Sequence, residues 1–272
     1  MTIDSLTRFF IENESNLRLA IFLSVFTTFA LLELIAPRRK LIAQKSRRWL
    51  NNIAIAVIDT VVLRLLFPAA AVGMAILVEK LQWGLFNLIE LPGGIEIGLA
   101  ILLLDLAIYA QHVMVHYVPL FWKFHRMHHA DLDIDVTTGS RFHPVEIVFS
   151  MLIKFIIIAL TGAHVIAVFM FEVILNSMAM FSHSNIKLPA WLDKSLRVIF
   201  VTPDMHRVHH SALTLETNSN FGFNLSIWDR LFSTYIRQPE KGHDGMMIGL
   251  ENIRDNSRCI SMAGMLKLPF QK

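Results

Sequence analysis

The chain has 272 residues, of which 54% are hydrophobic and 17% charged, and its mean hydropathy is +0.51. That balance lies far from the soluble average and excludes an ordinary water-soluble domain. The net charge of +3 does not point to nucleic acid, because the basic residues concentrate in one run, PRRKLIAQKSRR, between two apolar segments. The expectation is a membrane protein without a nucleic-acid partner.

A helix crosses the hydrocarbon core with about 20 apolar residues, and residues 17–36 supply them with one internal charge, Glu33. The N-terminus has no basic region ahead of a short apolar core and no small-residue cleavage site, so this first span reads as an anchor, not a signal peptide. Residues 53–78 are long enough for a second span but carry Asp59 and Arg64. Such charges sit near an end, pair, or face protein, which predicts a tilted or reoriented helix. Residues 95–111 form a third apolar segment, interrupted only by Glu96 and Asp105, and run into a histidine cluster. Beyond it, residues 144–181 are apolar and are divided by Thr161-Gly162, which predicts a hairpin of two short helices near 145–182. Four or five spans follow.

The basic run over 38–48 places its loop in the cytoplasm by the positive-inside rule. The N-terminus then lies outside, and every histidine cluster falls on the cytoplasmic side. The single Cys259 excludes an internal disulfide and suits a reducing compartment. The polar tail from residue 237 reads as surface loop with a short cap.

Eight of the 12 histidines fall in three short runs: QHVMVH (His112, His116), HRMHH (His125, His128, His129) and HRVHH (His206, His209, His210). His112 and His116 are four apart and project from one helical face. The other runs place histidines at i, i+3 and i+4, one stripe per copy. Packing alone gives no reason for polar rings at this repeated spacing, whereas His164 and His243, standing alone, read as structural. Eight imidazoles exceed the needs of one ion, so two adjacent metals are the economical reading, with one stripe for each. Imidazole suits zinc, copper, iron and nickel alike. A nitrogen-rich metal pair at the membrane boundary can meet a lipid chain, and activating oxygen against an unactivated C–H bond calls for redox-active iron. Asp105, seven residues before His112 in an apolar span, either fixes the tautomer of a ligand imidazole or reaches water or Arg64. Glu146, Glu172 and Asp204 are further candidates for the supporting role. The arginine inside each pentapeptide, Arg126 or Arg207, points off the stripe.

From Asp105 the chain reads DLAIYAQHVMVHYVPLFWKFHRMHHAD, then TTGSRFHPVE, FSHSNIKLP, TPDMHRVHHS and NFGFNLSIWDRLFSTY. In these blocks and their order it resembles the fatty acid hydroxylase/sterol desaturase superfamily. The resemblance implies an all-α integral membrane protein in which a cytoplasmic helical cap holds a histidine-rich dinuclear site. It implies an oxygen-dependent hydroxylase or desaturase using two Fe ions and molecular oxygen as cosubstrate. No catalytic group beyond the metal centre is implied. The metal-binding residues would be His112, His116, His125, His128, His129, His206, His209 and His210, with His183 completing the set. His143 and Asp204 would stand near the site with Asp105. The catalytic unit would be 95–237, between an anchor region over 1–94 and a tail over 238–272. The chain departs from the pattern at Val113, Ala130 and Ser233, where relatives often have Arg, Ser and Gly; none of these is an expected ligand.

The implied reaction takes hydrogen from, or puts oxygen into, a C–H bond of a lipid and consumes two external electrons. There is no HPGG haem loop and no cysteine set for an iron–sulfur cluster, so a separate electron-donor protein is implied. Lys187, Lys194, Arg197 and Arg207 are candidate contacts for it. The competing readings are a membrane metal carrier and a catalytically silent family member. A carrier needs ligands deep within several spans, and these histidines gather at helix ends on one side. A silent member has no need of a full histidine set.

Overall fold

The computed structural model describes residues 3–89 and 91–271. Helices dominate, and no extended strand occurs among the described residues, only isolated bridges such as Pro37 to Ile186. The first helix, α1 (Ile3–Ile35), stops before Pro37, since the residue ahead of a proline is pushed out of helical geometry. The expected second span proves to be two helices, α2 (Lys45–Leu66) and α3 (Ala70–Lys80). Pro68 breaks it, because a proline in a helix interior loses a hydrogen bond and clashes with the preceding turn. Next, α4 (Gly93–Tyr117) runs six residues past the expected boundary and carries His112 and His116. Pro119 then opens α5 (Pro119–His129), whose last turn holds the first pentapeptide.

The predicted hairpin is present as α6 (Pro144–Thr161) and α7 (Val165–His183). Gly162 forms its corner at φ 72°, and a Cβ there would lie 2.6 Å from Asn87 Nδ2 and 2.8 Å from the Trp83 carbonyl. Only glycine fits such an approach at positive φ. His143 and His164 each cap the following helix, accepting from Val145 N at 3.2 Å and Ile166 N at 3.1 Å. Two short helices, α8 (Ala190–Leu196) and α9 (Pro203–His209), precede a series of turns.

Among the described residues, five helical segments are long and apolar enough to cross a membrane: Phe9–Ile35, Lys45–Asn87, α4, α6 and α7. Their outward faces expose large apolar residues such as Leu23, Leu34, Val57, Leu65 and Leu160, as a lipid-facing surface does. Helix α7 packs against α1, α3 and α4, so it is the central post. Inside the spans, Glu172 of α7 pairs with Arg18 of α1 at 2.7 Å and Lys154 of α6 at 2.6 Å. The three charges satisfy one another away from water.

The basic loop and the histidines lie at the same end of the bundle. Arg38 N donates to the Asn185 carbonyl at 2.8 Å, and Ile42 N and Ala43 N donate to Asp133. Glu33, at the foot of α1, accepts from Val136 N at 2.7 Å and Asn185 N at 2.8 Å, tying together the segments that follow the second histidine run and His183. Arg48 is fully buried and binds Asp131 through Nε at 2.7 Å and Asp135 through Nη1 at 2.6 Å. Burial raises the Asp131 carboxyl, but Arg48 and Arg141 outweigh it and hold the group at about 2. The tail is more than surface loop. Cys259, Ile260, Met265 and Leu268 are buried against Ile55 and Met127, and close the underside of the histidine-bearing layer.

Removing the buried cation would strand two carboxylates. Arg48→Ala is therefore expected to cost about 3–5 kcal/mol, read as a lowered unfolding midpoint of the detergent-solubilised protein. Arg47→Ala, at an exposed neighbour, should move that midpoint little.

Candidate metal centre

Nine histidines from four helices meet at the loop end of the bundle, and all nine are buried. They form two groups: His112, His116, His125, His129 and His209 in one, and His128, His183, His206 and His210 in the other. Within each group every histidine offers a ring nitrogen, and those nitrogens lie within 4.8 Å of one another.

The pentapeptides are not one stripe per metal. HRMHH sends its i and i+4 members, His125 and His129, to the five-histidine group and its i+3 member, His128, to the other. HRVHH does the reverse, with His206 and His210 in the four-histidine group and His209 in the five. The reason is helical geometry. At 3.6 residues per turn, adjacent positions diverge by about 100°, while i and i+4 differ by about 40°. Two histidines written side by side therefore cannot face one point, and each copy must serve both groups.

Six imidazoles are oriented through Nδ1. His112 meets the Phe221 carbonyl at 2.8 Å, His209 the Ser219 carbonyl at 2.7 Å and His116 the Asn218 Oδ1 at 3.2 Å. His128 meets the Arg141 carbonyl at 3.1 Å, His183 the Ala179 carbonyl at 2.7 Å and His125 the Glu146 Oε1 at 2.6 Å. Each of these oxygens accepts, so in every case Nδ1 carries the hydrogen and Nε2 is left with a bare lone pair. The Nε2 atoms of His112, His116, His125, His209 and His210 are buried without any hydrogen-bond partner. Those of His128 and His183 face each other at 3.1 Å, and His206 Nε2 lies 3.0 Å from His183 Nε2. The lone pairs of His128 and His183, both with Nδ1 held by a carbonyl, repel at that distance unless a cation lies between them. Burial, followed by the neighbouring imidazoles, also holds His128, His129, His206, His209 and His210 well below the ordinary histidine pKa. Neutral rings with inward lone pairs suit a divalent transition metal in each group.

The expected supporting residues are placed differently from one another. Glu146 makes the imidazole contact directly. Asp105 meets no imidazole; its Oδ2 accepts from the Trp228 indole at 2.8 Å. Asp204 binds Arg38 at 3.2 Å and forms a close ion pair with Arg207, and His143 contacts the Leu266 carbonyl at 3.3 Å. Neither Asp204 nor His143 belongs to a histidine group. The two central arginines hold backbone. Arg126 donates to the Leu268 and Gln271 carbonyls at 2.6 and 2.5 Å, and buried Arg207 donates to the Ser184 carbonyl at 3.2 Å. Arg207 and Arg197 are 0% and 5% exposed, so neither offers its charge to a partner, contrary to the expectation from sequence.

Segment 218–222 was not visible as part of the site. It supplies the acceptors for His112, His116 and His209, and Asp229 fixes it by accepting from Phe221 N at 2.7 Å and Gly222 N at 2.8 Å. The NFGFNLSIWDRLFSTY block holds Phe221, Gly222 and Asp229, while Asn218 and Ser219 precede it and carried no signal in the sequence. Ser233, in the same block, has φ 59°, the left-handed region in which relatives' glycine carries no penalty.

A cavity of about 350 Å³ opens beside His112 and His125 and reaches between α2, α4, α6 and α7. A second, of about 540 Å³, is lined by Leu19, Phe22, Phe26, Ile53 and Val57 and shares Phe22, Ala56, Thr60, Ser140 and Asn176 with the first. The shared residues place the second cavity beside the first, against apolar side chains of α1 and α2.

The fatty acid hydroxylase family matches residues 97–234, half of the chain. Over 148 residues the chain is 29% identical to the ornithine lipid hydroxylase of Rhizobium tropici, covering 54% of this chain and 44% of that protein. It is 30% identical over 168 residues to the alkylglycerol monooxygenase of Xenopus tropicalis, covering 58% and 35% of the two. It is 27% identical over 146 residues to the Delta(7)-sterol 5(6)-desaturase of Candida glabrata, covering 54% and 37%. The chain thus spans less than half the length of these curated relatives. No solved structure shows a significant match. The five apolar helices and this likeness make it a multi-pass membrane protein. By the family match and the histidine boxes that fall within it, the chain belongs to the fatty acid hydroxylase family.

Proposed function

We propose that the protein is a membrane-bound, oxygen-dependent lipid hydroxylase or desaturase whose nine histidines hold two iron ions. The observation that carries this reading is the division of the histidines into two buried groups with inward, unpartnered ring nitrogens. The relatives' names support it, since they describe a hydroxylase, a monooxygenase and a desaturase. Bound iron would supply the redox chemistry needed to activate dioxygen against an unreactive C–H bond.

The chain's own residues set the conditions for that chemistry. Asn218, Glu146 and the carbonyls of Arg141, Ala179, Ser219 and Phe221 lock the rings so that each presents Nε2 inward. Phe142 stacks on His128 with ring centroids 4.5 Å apart, and Phe221 lies 5.1 Å from His116. These rings keep bulk water from the centre. The two adjoining cavities would bind the lipid with its reacting carbon beside His112 and His125 and its chain among Phe22, Phe26 and Val57. Their size falls in the ordinary range for small-molecule sites.

The basic loop over 38–48 shares an end with the histidines, which by positive-inside logic supports a centre on the cytoplasmic face. Electrons would come from a separate protein docking there, where Lys40, Lys187 and Lys194 remain exposed.

Iron analysis of protein made without zinc excess should find close to two irons per chain, and a single-metal stoichiometry would defeat the dinuclear reading. His128→Ala and His209→Ala each remove one ligand from a different group, and each should lose iron together with lipid oxidation, followed by lipid profiling of expressing cells. Glu146→Gln should weaken metal retention against a chelator by about 10–100-fold through the His125 orientation. Asp105→Asn, at a carboxylate that meets Trp228 and no imidazole, should leave retention nearly unchanged.

A further inference from the structure

The cavity beside His112 and His125 has a polar end that the histidine chemistry does not use. Asp59 of α2, Gln111 of α4 and Glu146 of α6 all line it, and they are 6%, 9% and 6% exposed. Asp59 Oδ1, Gln111 Oε1 and Glu146 Oε2 are buried without any hydrogen-bond partner. Acceptors left unpaired are costly, at about 1–3 kcal/mol for each group left unsatisfied. The nearby cation does not relieve them. Lys154 lines the same cavity but is bound to Glu172 at 2.6 Å, and Glu172 also holds Arg18. A bare acyl chain, an ether oxygen or an ester carbonyl cannot satisfy an acceptor. A hydroxyl or an N–H can.

We propose that this end of the cavity takes a lipid bearing a hydrogen-bond donor, a hydroxyl or an N–H, and holds that donor on Asp59, in the cavity that Gln111 and Glu146 also line beside the histidine centre. The inference rests on the lipid-oxygenase reading and narrows its substrate class. Glu146 ties this cavity to the centre, because one of its oxygens orients His125 and the other has no partner within the protein. The carbon attacked would then lie only a few bonds from the donor, with the rest of the chain running into the cavity lined by Phe22, Phe26 and Val57.

The test compares matched lipid pairs on the iron-loaded, full-length protein in detergent micelles. One pair is 1-O-hexadecylglycerol and its 2,3-dimethyl ether; the other is N-hexadecylacetamide and its N-methyl derivative. Dissociation constants by microscale thermophoresis should favour the donor-bearing member of at least one pair by about tenfold or more. A preference confined to one pair assigns the donor as hydroxyl or as N–H. Asp59→Leu should retain its iron and shrink the preference to about threefold or less, the loss expected on removing one acceptor. An undiminished preference in that variant overturns the placement on Asp59. Equal binding within both pairs by wild-type protein holding two irons overturns the inference and leaves the oxygenase reading intact. A clear preference in protein that binds no iron does the reverse. The wild-type comparison needs no substitution, so it decides the matter even if Asp59→Leu fails to fold.

Discussion

Everything at the centre depends on which ring nitrogen carries the hydrogen. An imidazole can direct a lone pair inward only if its other nitrogen is held by an acceptor outside the cluster. Six of the nine histidines have such an acceptor, and five of those six acceptors are supplied by segments other than the helix bearing the histidine. The exception is His183, which turns back on the Ala179 carbonyl of its own helix. The cluster is therefore shaped by the layer around it as much as by its own residues. Loop 218–222, the Arg141 carbonyl and Glu146 are as much a part of its design as the histidines.

That outer layer needs its own supports, and they are ionic. Arg48 gathers Asp131 and Asp135, and Glu33 gathers Val136 N and Asn185 N. Asp229 then pins the Phe221–Gly222 backbone. Arg48 and Asp229 are buried groups with satisfied partners, which is how a segment without regular structure can be rigid away from water. The arginines of the two pentapeptides join this frame. Arg126 fastens the C-terminal segment beneath α5, and Arg207 links Asp204 to the Ser184 carbonyl beside His183. The H-R-x-H-H repeat thus joins two functions in five residues, with histidines facing in and the arginine bracing the scaffold.

The cavities belong to the same economy of burial. Near the histidines the wall holds unpartnered acceptors, and farther into the bundle it becomes apolar. A lipid with a polar head and a long chain matches that gradient in both parts, because each end meets the surroundings it would otherwise lose on leaving the bilayer.

Composition, apolar run length and histidine spacing by themselves determined a helical membrane protein, the hairpin corner at Gly162, and eight of the nine histidines of the two groups; the ninth, His183, has no run around it and was marked only by the family resemblance. These features are local: a span is read from its own hydropathy, and a histidine run from its own spacing. The division at Pro68 was also written locally, in a residue whose ring cannot continue a helix. The divergence of adjacent histidines by about 100° follows from the helix repeat alone, yet which ring joins which group depends on how α4, α5, α7 and α9 face one another. Only the tertiary structure decided that Glu146 meets His125 while Asp105 meets Trp228, since both are buried carboxylates on helices near the histidines and sequence gives no distance between them. The same holds for the backbone carbonyls that orient the rings. A carbonyl has no residue identity to read, and its position exists only once the chain is folded around it.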